Sequence, residues 1–386
     1  MTIYAAESRC APSELLPDKA TKVRSAAAAG IRPGDTDHDL YLDWLRGLAA
    51  VIVFVTHVRG GYFVQWSDLD PGSKTWINYF LFGLTRLGRE AVIVFFVLSG
   101  YLVGGQAILA NAKGRFSLRS YFSARVARLY TVLIPALVLT ALFDHLRGAW
   151  TEPTNGWIAF VANLAFLQGI QGEPYGSNAP LWSLAYEWWF YVLFGLGAAV
   201  AIRLSKLTRI AAGLMLAGCI MVLWLKNLPV LLMFPIWLCG VAIRGLPVPR
   251  RPGGWLLATS LLALTLALGA SSLLRDMRGD YLVGIATAFL IVGLRGVPPV
   301  QRQWFSLGRR LAAMSFSLYA VHYPLNALIL GRFVPSRLSV ADPTAWVSLL
   351  VLALGMASIC FLVYASFERH TPRMRAWLYK RMPEVV

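Results

Sequence analysis

A run of about 20 apolar residues can satisfy its backbone hydrogen bonds inside a bilayer only as a helix, and such runs recur through this chain. They lie near residues 43–63, 90–110, 129–146, 181–202, 210–225, 230–243, 255–274, 280–294, 311–330 and 344–366. The fold class that follows is all-α, a polytopic integral membrane protein of about ten transmembrane helices. Composition agrees: charged residues are 14% of the 386, against roughly 25% in soluble domains. The 230–243 and 280–294 runs are short, and one of them is a candidate re-entrant segment. Residues 157–170 are also apolar, but a full crossing there would invert every later loop, so a re-entrant or surface helix on the outer side is expected.

The distribution of charge sets the orientation. A net charge of +17 can signal nucleic acid, but here Lys and Arg lie between apolar runs with no basic-aromatic face, and no nucleic-acid partner is expected. With the N-terminus inside, the inner segments collect about 25 of the 36 Lys and Arg and the outer segments about 10, the asymmetry of a cytoplasmic face. Both termini are therefore expected in the cytoplasm. Residues 1–40 read as a disordered cytoplasmic tail without a signal-peptide core, 41–368 as the membrane domain, and 369–386 as a basic cytoplasmic tail. Cys10, Cys219, Cys239 and Cys360 have no metal-ligand spacing and read as packing residues; no metal is expected. Gly105-Gln106, Gly195 and Gly197 read as helix contacts, and Pro135, Pro229, Pro235 and Pro324 mostly as kinks.

Polar groups inside such spans are costly and mark function. The stretch Leu42–Val58 carries Asp43, Arg46 and His57. Arg46 and His57 are eleven positions apart, about 20° past three full turns, so they share one face with a rise of about 16 Å between them. A long thin ligand can touch both. The plainer reading is an Arg46 that snorkels beside Asp43 and an interfacial His57. Ser99 ends the run Phe-Phe-Val-Leu-Ser, where a serine commonly bonds back to a helix carbonyl. Arg125 and Arg128 are three apart at the start of the third span, suited to phosphates or to anchoring topology. Glu187 lies one and a half turns into the fourth span, after Trp182 and Ser183. His322 follows Tyr319 in the ninth, as a second functional histidine or a packing residue bonded to a carbonyl.

Five of these pieces occur in an order that resembles the membrane acyltransferase-3 family, bacterial O-acyltransferases that modify surface sugars and some secreted metabolites. They are Leu-Asp-Trp-Leu-Arg-Gly-Leu-Ala with His57, Phe-Phe-Val-Leu-Ser-Gly-Tyr at 95–101, Arg-Val-Ala-Arg-Leu at 125–129, Leu-Trp-Ser-Leu-Ala-Tyr-Glu at 181–187 with Phe190-Tyr191, and Ser-Phe-Ser-Leu-Tyr-Ala-Val-His at 315–322. Tyr130 departs from the family, standing near a position where many members have proline, although Pro135 follows. There is no room after the tenth span for the esterase-like domain of some members, so the chain resembles the stand-alone form. The resemblance implies a bacterial inner (plasma) membrane location, acyl-CoA as donor, essential Arg46 and His57, and a donor-binding role for Arg125 and Arg128.

The expected reaction is transfer of an acyl group, with acetyl foremost, from cytoplasmic acyl-CoA (acetyl-CoA as co-substrate, no tightly bound cofactor) to a hydroxyl of an extracytoplasmic glycan, glycolipid or secreted metabolite. Membrane lipids are the other expected partners. His57 serves as general base or as covalent acyl carrier; the sequence leaves both open. Arg46 orients the donor or stabilises the oxyanion. Glu187 sets the histidine tautomer or binds the acceptor. Asp43, Ser99, Trp182, Ser183, Tyr319 and His322 are further substrate-binding or structural candidates. The alternative class is a transporter or flippase that moves a polar or anionic solute through the same interior without using a thioester.

Overall fold

The computed structural model describes residues 35–383 except 150, 203, 248–253, 296, 298–301 and 335. In chain order the main helices are α1 (Asp35–Tyr62), α2 (Trp76–Leu84), α3 (Gly88–Ser99), α4 (Gly105–Ala112), α5 (Leu118–Leu146), α6 (Trp157–Leu164) and α7 (Leu181–Ala201). They continue as α8 (Lys206–Lys226), α9 (Leu228–Gly245), α10 (Gly254–Leu274), α11 (Met277–Leu294), α12 (Arg302–Phe333), α13 (Pro343–Ser366) and α14 (Thr371–Arg381). No strand is formed among the described residues. The first helix starts at Asp35, inside the segment read as a tail; residues 1–34, Cys10 among them, lie outside the described part.

Nine helical stretches among the described residues are long and apolar enough to cross a membrane. The tenth crossing is α12, whose 32 residues run parallel to α1. Contacts climb both helices together: Gly47 against Leu311 and Ala312, His57 against His322, and Gly61 against Asn326 and Leu330. Two spans run parallel when an odd number of crossings separates them, and seven lie between α1 and α12. The short runs both cross: α9 and α11 have 18 residues each, about 27 Å. Segment 157–170 is instead re-entrant. Its helix α6 has 8 residues, and the chain reverses at Phe166 (φ 57°). The Phe166 ring stacks on Trp188 (5.0 Å), and its carbonyl accepts the Trp189 indole N–H (3.1 Å). Trp189 stands two turns inside α7, so the hairpin dips about 12 Å beside it.

Close backbone approach explains several glycines. A Cβ on Gly100 would meet the Trp237 carbonyl oxygen at 1.9 Å, and one on Gly240 the Val97 oxygen at 2.0 Å. The π-helical turn Gly100–Gly104 joins α3 to α4 at this crossing with α9. An extra residue in a helical turn re-aims the neighbouring side chains, here Ser99 and Tyr101. Gly105 and Gly195 are also packed, against Arg244 and Phe122, whereas Gly197 faces open space and makes no helix contact. Of the prolines, 135, 235 and 324 are inside helices, while Pro229 sits in the first turn of α9, where no kink is needed.

At one end of the bundle α3 is tied to α11. Arg89 forks onto Asp280 (2.9 and 2.6 Å), whose side chain is 1% exposed. Arg89→Ala leaves that buried carboxylate with no cation and is expected to lower stability by about 2–3 kcal/mol. The measurement is thermal unfolding in detergent; an unchanged transition would mean that water compensates Asp280. At the other end, which we call the basic end, the starts of α1 and α5 meet the turn Glu368–His370. Glu368 is buried and accepts from Ser317 N (2.9 Å) and Oγ (2.7 Å), and the charges of Arg128 and Arg46 act on it.

Candidate active site

A cavity of about 320 Å³ lies inside the bundle between α1, α3, α5, α7 and α12. Three cations line it: Arg46 from α1, and Arg125 and Arg128 from one face of α5. Arg46 also pairs with Asp43 (3.1 Å) one turn earlier. Arg125 lies over the rings of Tyr121 and Tyr191 (5.6 and 5.8 Å), and Arg128 over Phe316 (5.7 Å). Neither makes an ion pair among the described residues. A guanidinium held by aromatic faces keeps its N–H groups directed in its own plane, so the pair can offer donors to an anion in the cavity.

Deeper in the same cavity is Glu187. Its Oε1 accepts from Ser99 Oγ (2.8 Å) and from the Tyr191 hydroxyl. Ser99 Oγ is held in turn by the Trp237 indole N–H (3.1 Å) and lies 3.1 Å from Tyr191 Oη. Ser99 is therefore not bonded back to its own helix. All the recorded bonds of Glu187 fall on Oε1, and Oε2 has no partner among the described residues. Ser183 and Tyr319 share a 2.5 Å hydrogen bond on the cavity wall, and Tyr319 also donates to Pro180 O (3.0 Å). Trp182 is not a lining residue; it packs on Phe96 and Tyr186.

His57 and His322 form a pair. His57 Nδ1 is 2.8 Å from His322 Nε2, with ring centroids 5.1 Å apart and planes at 14°. His322 is fully buried, and its Nδ1 lies 2.8 Å from Leu318 O. The proton positions follow by inference from these contacts. A carbonyl only accepts, so His322 Nδ1 carries a proton. No carboxylate bonds this ring among the described residues, and a buried uncompensated charge is expensive, so the ring rests neutral with its lone pair on Nε2. His57 Nδ1–H must then donate to it, which leaves the lone pair of His57 on Nε2, an atom with no partner among the described residues. His322 thus bonds a helix carbonyl, as the packing reading expects, and its other ring nitrogen meets His57.

The expectation that Glu187 sets the histidine tautomer is corrected by this geometry. Glu187 bonds Ser99 and Tyr191 and touches neither histidine, because Phe95 and Tyr319 stand between; the Tyr319 ring is 6.1 Å from that of His322 and 6.2 Å from that of Phe95. His57 itself is half-buried and does not line the cavity, whereas Phe95 does. Sequence reasoning quoted Phe95 and Tyr191 only as motif residues, without a role, and missed Trp237 and Glu368. Tyr191 had a signal, since it is one turn from Glu187; Trp237 and Glu368 had none, being distant in sequence and, for Glu368, past the last span.

A family model described as an acyltransferase domain matches residues 39–365. The chain belongs to the acyltransferase-3 family. This acyltransferase is 27% identical over 352 residues to the acyltransferase MdmB of Streptomyces mycarofaciens, covering 83% of this chain and 87% of the relative. It is also similar to an O-acetyl transferase of Shigella phage Sf6, 25% identical over 218 residues, which cover 53% of this chain and 58% of that protein. No solved structure matches. The protein is thus a membrane O-acyltransferase, and the transporter alternative lapses.

Proposed function

We propose that this acyltransferase moves an acyl group, acetyl foremost, from cytoplasmic acyl-CoA to a hydroxyl of a glycan, glycolipid or secreted metabolite on the other side of a bacterial inner membrane. The observation that carries the reading is the cavity itself: Arg125 and Arg128 without an ion pair among the described residues, a carboxylate whose Oε2 has no partner among them, and a hydrogen-bonded imidazole pair beyond its wall. The CoA phosphates bind Arg125 and Arg128 through charge-assisted hydrogen bonds, with Arg46 beside them. The pantetheine arm then extends toward Glu187, whose Oε2 accepts one of its amide N–H groups.

The acceptor hydroxyl approaches His57. As the hydroxyl oxygen forms its bond to the acyl carbon, Nε2 takes the proton, while Nδ1–H stays on His322 Nε2. Collapse of the tetrahedral intermediate breaks the carbon–sulfur bond, and the proton on Nε2 passes to the departing thiolate. Atoms balance as ester plus free CoA, and no covalent carrier is required. Because Phe95 and Tyr319 separate the cavity from His57, the Phe95 ring turns aside when the thioester passes.

Replacing Arg125 and Arg128 together by alanine is expected to raise the KM for acyl-CoA about tenfold or more, since a hydrogen bond to a charged group contributes about 1.5–3 kcal/mol, and to leave the acceptor KM unchanged. Steady-state kinetics with radiolabelled acyl-CoA reads both constants. An unaltered donor KM with intact turnover would return the pair to a purely topological role. Production of thioester-derived product by purified protein, dependent on an added glycan or metabolite hydroxyl, tests the function as a whole.

A further inference from the structure

Away from the cavity, a groove of about 730 Å³ runs between α5 and the C-terminal helix α14. Its upper wall is Ile134 and Val138 of α5 with Phe367, and its foot is His370, Arg373 and Trp377. Ile134 and Val138 are 45% and 54% exposed although they belong to a membrane-crossing helix. In a bilayer their neighbours are therefore acyl chains.

The foot has the opposite chemistry. Helix α14 carries Arg373, Arg375, Lys380 and Arg381 and no acidic residue. No Asp or Glu lines the groove, and Arg373 makes no ion pair among the described residues. The helix is held in place by built contacts. Thr131 and Thr371 hydroxyls meet at 2.9 Å, Arg119 Nε donates to Tyr379 O (2.6 Å) and its guanidinium lies over the Tyr379 ring (4.5 Å). The basic foot is thus fixed below the apolar wall, with the amphipathic Trp377 at the boundary between them, where an indole is at home.

We propose that this groove binds one phospholipid with an anionic headgroup. One acyl chain lies along Ile134, Val138 and Phe367, and the headgroup phosphate bonds Arg373 beside His370. A zwitterionic lipid offers the same phosphate, but its ammonium group comes with it, against a foot that already holds Arg373 with Arg369 and Arg375 nearby. A basic residue close to an anionic surface contributes roughly one fivefold step in binding, so the headgroup's net charge decides which lipid stays. The inference is independent of the reaction, since neither the cavity nor the histidine pair takes part.

Native mass spectrometry of the full chain in mild detergent, with phosphatidylglycerol or phosphatidylcholine of identical acyl chains, tests it. One phosphatidylglycerol is expected to remain bound, at least about fivefold more than phosphatidylcholine. Arg373→Gln, a surface change, is expected to bring the two lipids level, and Ile134→Trp, which fills the groove without altering charge, to reduce retention of both. Millimolar inorganic phosphate should not displace the lipid. Equal retention of the two lipids by the unaltered protein, retention unaffected by either substitution, or displacement by phosphate alone overturns the proposal.

Discussion

His57→Ala is expected to lower acyl transfer about 10²- to 10⁴-fold, the range for loss of a positioned general base, with acyl-CoA binding preserved. The reason lies in the division of the site. The cations proposed to bind the donor line the cavity, whereas His57 is not among its lining residues. Removing the imidazole therefore takes away the proposed proton acceptor and leaves the proposed donor pocket whole. Titration calorimetry with a non-hydrolysable acyl-CoA and single-turnover kinetics separate the two. Near-normal turnover by the variant would sink the assignment and point to Glu187, the one carboxylate that lines the cavity among the described residues, as base.

The second large effect is expected at the fully buried His322. His322→Phe is expected to cost between about 10²- and 10⁴-fold in kcat, by analogy with the loss incurred when a catalytic histidine is held in the wrong tautomer. Phenylalanine keeps the ring volume against Phe54 and Tyr323 but accepts no hydrogen bond, so His57 is free to place its proton on Nε2 and ceases to be a base there. His322→Gln offers a carbonyl oxygen to His57 Nδ1–H and is expected to recover part of the activity. A packing role predicts the reverse order, because phenylalanine is the better filler of a buried apolar site. The donor KM should stay the same in both variants.

Much of this protein was legible from its sequence, for a physical reason that is specific to membranes. Hydrocarbon forces every backbone polar group to be satisfied within its own helix, so apolar run length reports crossings directly, and ten crossings emerged, although α1, α5 and α12 begin 8, 11 and 9 residues before the apolar runs do. The same solvent makes each buried charge conspicuous, which is why Arg46, His57, Arg125, Arg128 and Glu187 stood out. Helical periodicity placed Arg46 and His57 on one face of α1, and five ordered motifs carried the family.

What periodicity cannot report is which face meets which neighbour. That α12 runs parallel to α1, and so brings His322 within 2.8 Å of His57, follows from interlocking glycines at positions 47, 61 and 308 that pair residues more than 260 apart in the chain. The same holds for Glu187, whose depth was readable but whose partners were set by the π turn after Ser99 and its crossing with Trp237. Residue types and depths are properties of single helices and were fixed by sequence against the bilayer. The tautomer of His57, the wall that separates it from the cavity, and the re-entrant turn at Phe166 are properties of contacts between helices, and only the packed bundle decided them.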